Sequence, residues 1–195
     1  MGFSVGDKVV HPRHGFGQIT ALERLDLVEG FERYYVITVP DQGLTVRVPV
    51  RKMEELGVRP VMSRAKLSRV LETLRDRPRQ LSEDYRQRQD WIRERLETGV
   101  SLRIAEVVRD LTWHERRGHL TKADSELLTR GRDFLATEIA VVTDAEITDA
   151  KRTIDSALVA VESAEIDRQE PRPSVNTSEQ SPGVGGRLRT LLETR

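Results

Sequence analysis

Two spacings of apolar residues divide the chain. Through about residue 50 the apolar positions alternate with polar ones or cluster in short β-branched and aromatic runs, which is the pattern of strands. Val5, Val9 and Val10 come first, followed by the turn-rich stretch His11-Pro12-Arg13-His14-Gly15-Phe16-Gly17, where Pro and Gly interrupt a strand. Gln18 to Leu22 predicts a second strand and Glu29-Gly30 a turn. Arg33 to Val39 is the run richest in β-formers. Asp41-Gln42-Gly43 is another turn signal, and Leu44 to Val50 alternates as a half-buried strand does. Short strands at this spacing within about 60 residues predict a small twisted barrel.

Beyond residue 60 the period becomes helical. Leu67, Val70, Leu71 and Leu74 share one face of a helix starting near Ala65, and Pro78 ends that region. A second helix is predicted from about residue 83 to Thr98, with Ser82 as its cap, acids in its first turn and Gly99 as its stop. A third runs from Leu102 to about Arg117 with Ile104, Val107, Val108 and Leu111 inward. Thr121-x-x-Asp124 resembles a capping box for a fourth helix, which carries Leu127, Leu128, Phe134, Leu135, Ile139 and Val142. A fifth, from about Ala145 to Ala164, carries Ile147, Ile154, Leu158 and Val161. From Arg168 the apolar period stops and Pro, Ser and Gly accumulate, the composition of a flexible tail; Arg187, Leu188, Leu191 and Leu192 hint at a short helix within it. The expected class is therefore α+β: a β domain over residues 1–60, an all-α domain over 64–165 and a disordered tail over 168–195. Gly57, Pro60 and Ser63 mark the domain boundary.

Composition narrows the functional classes. The chain of 195 residues has no cysteine, so disulfides, thiolate metal sites and cysteine nucleophiles are absent. No apolar run approaches the roughly 20 residues that span a bilayer, and the first ten residues lack a signal-peptide pattern, so a cytoplasmic protein without a membrane partner is expected. The formal net charge is +0, but it is unevenly placed. Arg51 to Arg95 holds 13 Lys/Arg against 8 Asp/Glu, a balance of +5; Asp133 to Glu170 holds 3 against 10, a balance of −7. The basic segment can attract phosphate although the total is neutral.

Enzyme signatures are missing: there is no phosphate-binding Gly-x-x-x-x-Gly-Lys, no Gly-x-Gly-x-x-Gly, no His-Glu-x-x-His and no Gly-x-Ser-x-Gly. His11 and His14 lack a third metal ligand and read as turn residues; His114 and His119 read as exposed residues at a helix end. No metal or cofactor is expected. The second helix offers binding chemistry instead. Tyr85 and Trp91 stand among Arg86, Arg88, Arg93 and Arg95, a mixture that can grip phosphates and stack a ring on bases. It is equally the look of a solvated helix, with Trp91 beside Ile92 and Leu96 as core. Trp113, near Leu111, reads as packing. Arg47 lies opposite the valines of its strand, where a charge serves either solubility or a partner.

Two segments, Val5-Gly6-Asp7-Lys8-Val9-Val10-His11-Pro12-Arg13-His14-Gly15 and Leu44-Thr45-Val46-Arg47-Val48-Pro49, resemble the polymerase-interacting domain of the CarD/CdnL family of bacterial transcription regulators. A third, Ala105-Glu106-Val107-Val108-Arg109-Asp110-Leu111, resembles that family's helical domain, and Leu120-Thr121 with Arg130 and Arg132 continues the likeness; together they cover about residues 3–160. The resemblance implies a non-enzymatic protein whose Tudor-like barrel docks on the β subunit of RNA polymerase. Its helical domain would touch promoter DNA at the upstream edge of the melted region, with an aromatic wedge in the minor groove stabilising the open complex. Carried over residue by residue, Arg47 matches the polymerase-contacting arginine, with Thr45 and Val46 beside it. Leu25 stands where close relatives have a second arginine, and Arg24 is its nearest substitute, with a side chain that starts on the other face of the strand. Tyr85 stands in the place of the wedging tryptophan. Arg88 matches a phosphate contact one turn on, with Arg86 alongside; Arg130 and Arg132 match basic positions of the DNA-facing helix, near Lys122. The partners implied are polymerase and promoter double-stranded DNA read with little sequence preference, by a monomer. Two rivals stay open: a polymerase adaptor without a DNA wedge, and an enzyme of unfamiliar type on a helical scaffold.

Overall fold

The computed structural model describes residues 2–118 and 120–169. Five strands come first: β1 (Lys8–His11), β2 (Gly15–Val28), β3 (Phe31–Val39), β4 (Leu44–Pro49) and β5 (Arg59–Pro60). Five helices follow: α1 (Arg64–Arg75), α2 (Tyr85–Glu97), α3 (Ser101–Arg117), α4 (Lys122–Thr143) and α5 (Ile147–Gln169). The α+β class with a Tudor-like β domain and a helical domain is as expected; the predicted tail lies outside the described residues apart from its first two, which close α5.

All strand pairs are antiparallel, in the order β4-β3-β2-β1-β5. Successive side chains along a strand face opposite sides; one face of the sheet forms the β-domain core, and Val10, Tyr34 and Val36 are buried on the other. Val9, Ile19, Tyr35, Ile37, Val39 and Val48 pack on the core face with Met53 and Val58. β2 continues six residues past Leu22, where the expected strand ended. Its polar extension is held by pairing, Glu23 opposite Tyr34, Arg24 opposite Arg33 and Val28 opposite Phe31, which hydrophobic alternation does not report. Val5 belongs to no strand and is exposed.

The helical core gathers Leu74, Ile92, Ile104, Leu111, Leu135, Ile139 and Ile154, one or more from each helix. Gly131 lets α3 and α4 approach closely: a Cβ there would stand 3.0 Å from Val108 Cγ2 and 3.4 Å from Leu96 Cδ2. The Thr121–Asp124 capping box of α4 forms as the sequence predicts. The cap of α2 is Asp84, not Ser82: Asp84 Oδ1 accepts from the amides of Arg86 (2.8 Å) and Gln87 (3.4 Å), while Ser82 Oγ accepts from the Asp84 amide one step earlier (3.2 Å). Both residue types cap well, so the spacing alone did not choose between them.

Candidate protein and nucleic-acid interface

Strand β4 ends the sheet, so among the described residues one side of its backbone has no strand partner. Thr45 and Arg47 lie exposed on the face away from the core, and Val46 turns half-buried toward it. Arg47 Nε donates to Glu23 Oε2 at 2.9 Å, which lays the guanidinium back across the sheet. Both side chains are more than a third exposed, at 46% and 35%, and such a pair is worth less than about 1 kcal/mol. A carboxylate from a partner can therefore displace Glu23 at small cost.

Arg24 is exposed but follows Glu23 in the strand, so its side chain leaves on the opposite face, directly across from Arg33. It does not share a surface with Arg47. This is the face that strand alternation predicts for Arg24, so it substitutes for the missing second arginine only from the opposite side of the sheet. By alternation the side chain returning to Glu23's face is Leu25, which is half-buried.

The starts of α2 and α4 meet at one end of the helical domain, where Arg88 and Gln89 bond to Asp124 and Thr121. Tyr85 is the first residue of α2 and is 49% exposed. Arg86 reaches back to it: Nε donates to the Tyr85 hydroxyl at 3.1 Å, and the guanidinium stands 5.6 Å from the ring centroid. This gives the hydroxyl a partner and leaves a cation next to an exposed ring. Lys122, the first residue of α4, is 93% exposed. Arg116 and Arg117 finish α3, and they border one shallow cavity together with Leu120, Thr121 and Lys122. The sequence reading passed over this pair. Its signal was a doubled arginine in the last turn of a helix followed by Gly118.

Arg88 departs from the expectation of a phosphate contact. It is 5% exposed, and its guanidinium is spent within the protein. One terminal nitrogen donates to Asp124 Oδ2 at 2.7 Å and the other to the Ser82 carbonyl at 2.7 Å, while Nε is buried without a partner among the described residues. Gln89 adds a hydrogen bond to Thr121 Oγ1 at 3.2 Å. The residue that shares a turn with Tyr85 thus fastens the loop before it to the cap of α4. Burial alone would raise the Asp124 carboxyl, but hydrogen bonds from Arg88 and Thr121 and the charge of Arg88 outweigh that and hold it below its ordinary value.

Arg130 and Arg132 separate as well. Arg132 is directed at α5, where it pairs with Asp155 at 2.9 Å. Arg130 is exposed and lines a cleft of about 620 Å³ between α4 and the β1–β2 turn, with Lys122, Arg13, Phe16 and Phe134. It lies eight residues from Lys122, about 12 Å along the helix. Trp91 is half-buried under Arg95, whose guanidinium is 3.8 Å from the ring centroid, so it belongs to the packing. His11 is buried, and its Nδ1 accepts from the Arg13 amide at 3.1 Å, a turn role. Desolvation, with the charges of His14 and Arg13, lowers it from 6.5 to about 4. His114 is half-buried at the end of α3; His119 lies outside the described residues. Among the described residues no group of three His, Cys, Asp or Glu side chains is placed to hold a metal ion, and no helix is long and apolar enough to cross a membrane.

Residues 3–62 match the family model of the CarD-like/TRCF RID domain, and residues 69–155 match that of the CarD C-terminal domain. The chain belongs to the CarD family. The two matched segments coincide with the β domain and with the helical domain from α1 into α5. A curated relative is the "Putative transcription factor YdeB" of Bacillus subtilis (strain 168), 29% identical over 140 residues, which are 72% of this chain and 92% of the relative. Membership of the CarD family makes the chain a transcription regulator, and RNA polymerase is the interaction that its family domains imply in general.

Proposed function

We propose that this regulator docks on the β subunit of RNA polymerase through the β4 side of its sheet, with Arg47 as the central contact. In this reading the Tyr85 end of the helical domain engages promoter DNA at the upstream edge of the bubble and prolongs the open complex. The observation that carries it is an exposed aromatic ring, fixed at a helix start by a buried ion pair, with Arg86, Arg117 and Lys122 around the same end. A ring inserted in the minor groove unstacks a base step at a cost of a few kcal/mol, which phosphate contacts and the tether to polymerase must offset. Phosphate contacts carry no sequence information directly, so the protein acts at many promoters. The assignment differs from the family's arginine set. Arg86, Lys122, Arg116 and Arg117 are the phosphate-facing group, Arg130 is peripheral to it, Arg132 is engaged by Asp155 of α5, and Arg88 holds the fold.

The test is open-complex lifetime on a ribosomal RNA promoter with the cognate polymerase. The wild-type protein is expected to lengthen it, and both Tyr85→Ala and Arg47→Glu to abolish the gain. Loss with Arg47→Glu alone would leave a polymerase adaptor without a wedge.

A further inference from the structure

A densely bonded ion pair lies between the two domains. Glu138 of α4 is 1% exposed, yet its carboxylate accepts four hydrogen bonds. Two come from the Arg59 guanidinium of β5, at 2.7 and 3.0 Å. One comes from Ser101 Oγ at the start of α3 (2.8 Å) and one from the Met62 amide just before α1 (2.8 Å). Arg59 also donates to the Gly99 carbonyl at 2.9 and 2.6 Å and to Ser101 Oγ at 2.9 Å. One residue of the sheet is therefore tied to the α2–α3 turn, to α3 and to α4 at once.

Three further contacts act on the same joint. Pro12, in the β1–β2 turn, is seated against Gly99: a Cβ on that glycine would stand 2.9 Å from Pro12 Cα, and its φ of +63° already disfavours any other residue. Thr137 of α4 donates to Asp41 Oδ2 at 3.2 Å on the outer side. The connecting segment has no slack, since the Val61 amide donates to the Lys8 carbonyl (3.3 Å) and Ser63 caps α1.

A buried ion pair is a weak source of stability, because desolvation consumes most of the attraction, and well-packed apolar residues often do as well. A forked guanidinium on a carboxylate does fix geometry, through two parallel bonds. We infer that the Arg59–Glu138 node, with the Pro12–Gly99 contact, is a fixed-angle joint that makes the two domains one rigid body. Docking the sheet on polymerase then delivers Tyr85 and Lys122 to one place on upstream DNA. Arg59, Glu138 and Gly99 are positioning residues: they touch neither polymerase nor DNA. The inference rests on the polymerase-and-DNA reading above. A stiff tether concentrates the wedge where it acts, whereas a loose one spreads it over a larger volume.

The chain has no cysteine, so spin labels can be placed without background. Glu32→Cys on β3 and Glu94→Cys on α2 put one label on an exposed site of each domain. Pulsed dipolar spectroscopy on the otherwise wild-type full chain is expected to give a single narrow distance. Glu138→Gln should broaden it, and so should Gly99→Ala, which leaves the buried ion pair in place if the first variant folds poorly. In the same variants, without labels, the gain in open-complex lifetime is expected to fall by about tenfold, with polymerase affinity unchanged. Narrow distances in both variants would overturn the joint. Broad distances with a full lifetime gain would overturn its role in delivering the wedge. A wild-type protein that never lengthens the lifetime removes the functional reading itself, a failure visible before any joint variant is made, and the positioning role goes with it.

Discussion

Replacing Arg88 by Ala separates a positioning arginine from a phosphate contact. The change removes the 2.7 Å bond to Asp124 and the 2.7 Å bond to the Ser82 carbonyl. It leaves Asp124 with no solvent exposure and only Thr121 as donor, through its amide at 3.3 Å and its hydroxyl at 2.8 Å. Removing one partner of a buried pair costs about 3–5 kcal/mol; the remaining Thr121 bonds place this site near the lower end of that range. With urea m-values of about 1–3 kcal/mol per molar, the unfolding midpoint at pH 7 should drop by about 1–3 M. The parent shows the converse in acid. The Asp124 carboxyl is held below its ordinary 3.8, so the stability it contributes is present above that pH and is lost as pH falls through the folded-state value. Salt dependence of promoter binding by the polymerase complex gives the second measurement. Removing a single phosphate-neutralising cation lowers the slope of log K against log salt by about 0.9. Lys122→Ala should lower it by about that amount, and Arg88→Ala should leave it unchanged. An Arg88→Ala protein with the parental urea midpoint and a slope reduced by about one unit would refute the positioning role and restore a direct phosphate contact.

Two more outcomes follow from the same geometry. His11 accepts a backbone hydrogen bond through Nδ1 and titrates near 4 instead of 6.5, so the β domain keeps its full stability above pH 6.5 and loses up to about 3 kcal/mol as pH falls from there toward 4; His11→Asn should flatten this part of a thermal-melt pH profile, and an unchanged profile would reject it. Tyr85→Trp enlarges the ring at an already exposed position and should lengthen the open complex beyond the wild-type value, whereas a shorter lifetime would mean that the hydroxyl held by Arg86 is what the DNA requires.

Much of this architecture was legible in the sequence, and what was hidden has one physical cause. Among the described residues apolar periodicity located every helix and four of the five strands, because burial of those side chains is what makes the elements form. It missed β5, two residues long and recognisable only by its pairing with Val9 and Val10. It also reads a charge as solvent-facing, and the charges that organise this molecule are buried: Arg88, Arg109, Asp110, Asp124 and Glu138. Several of them stand on an apolar stripe where the pattern itself contradicts that reading. Arg88 precedes Ile92 and Leu96 at four-residue steps, and Glu138 falls between Leu135 and Val142 on the same helical row. Asp110 stands three residues after Val107, beside Leu111. A charge at such a position must find a partner across the core or prevent folding, because leaving it unpaired in a dry interior is too costly. The partner, distant in sequence, is what no spacing reveals: Asp124 lies 36 residues from Arg88, and Glu138 lies 79 from Arg59. Carrying the family's arginines across by motif therefore fixed their positions and not their surroundings. The same row logic that finds a helix's core face marks Arg88 as a side chain turned inward, away from the surface where Tyr85 and Lys122 stand.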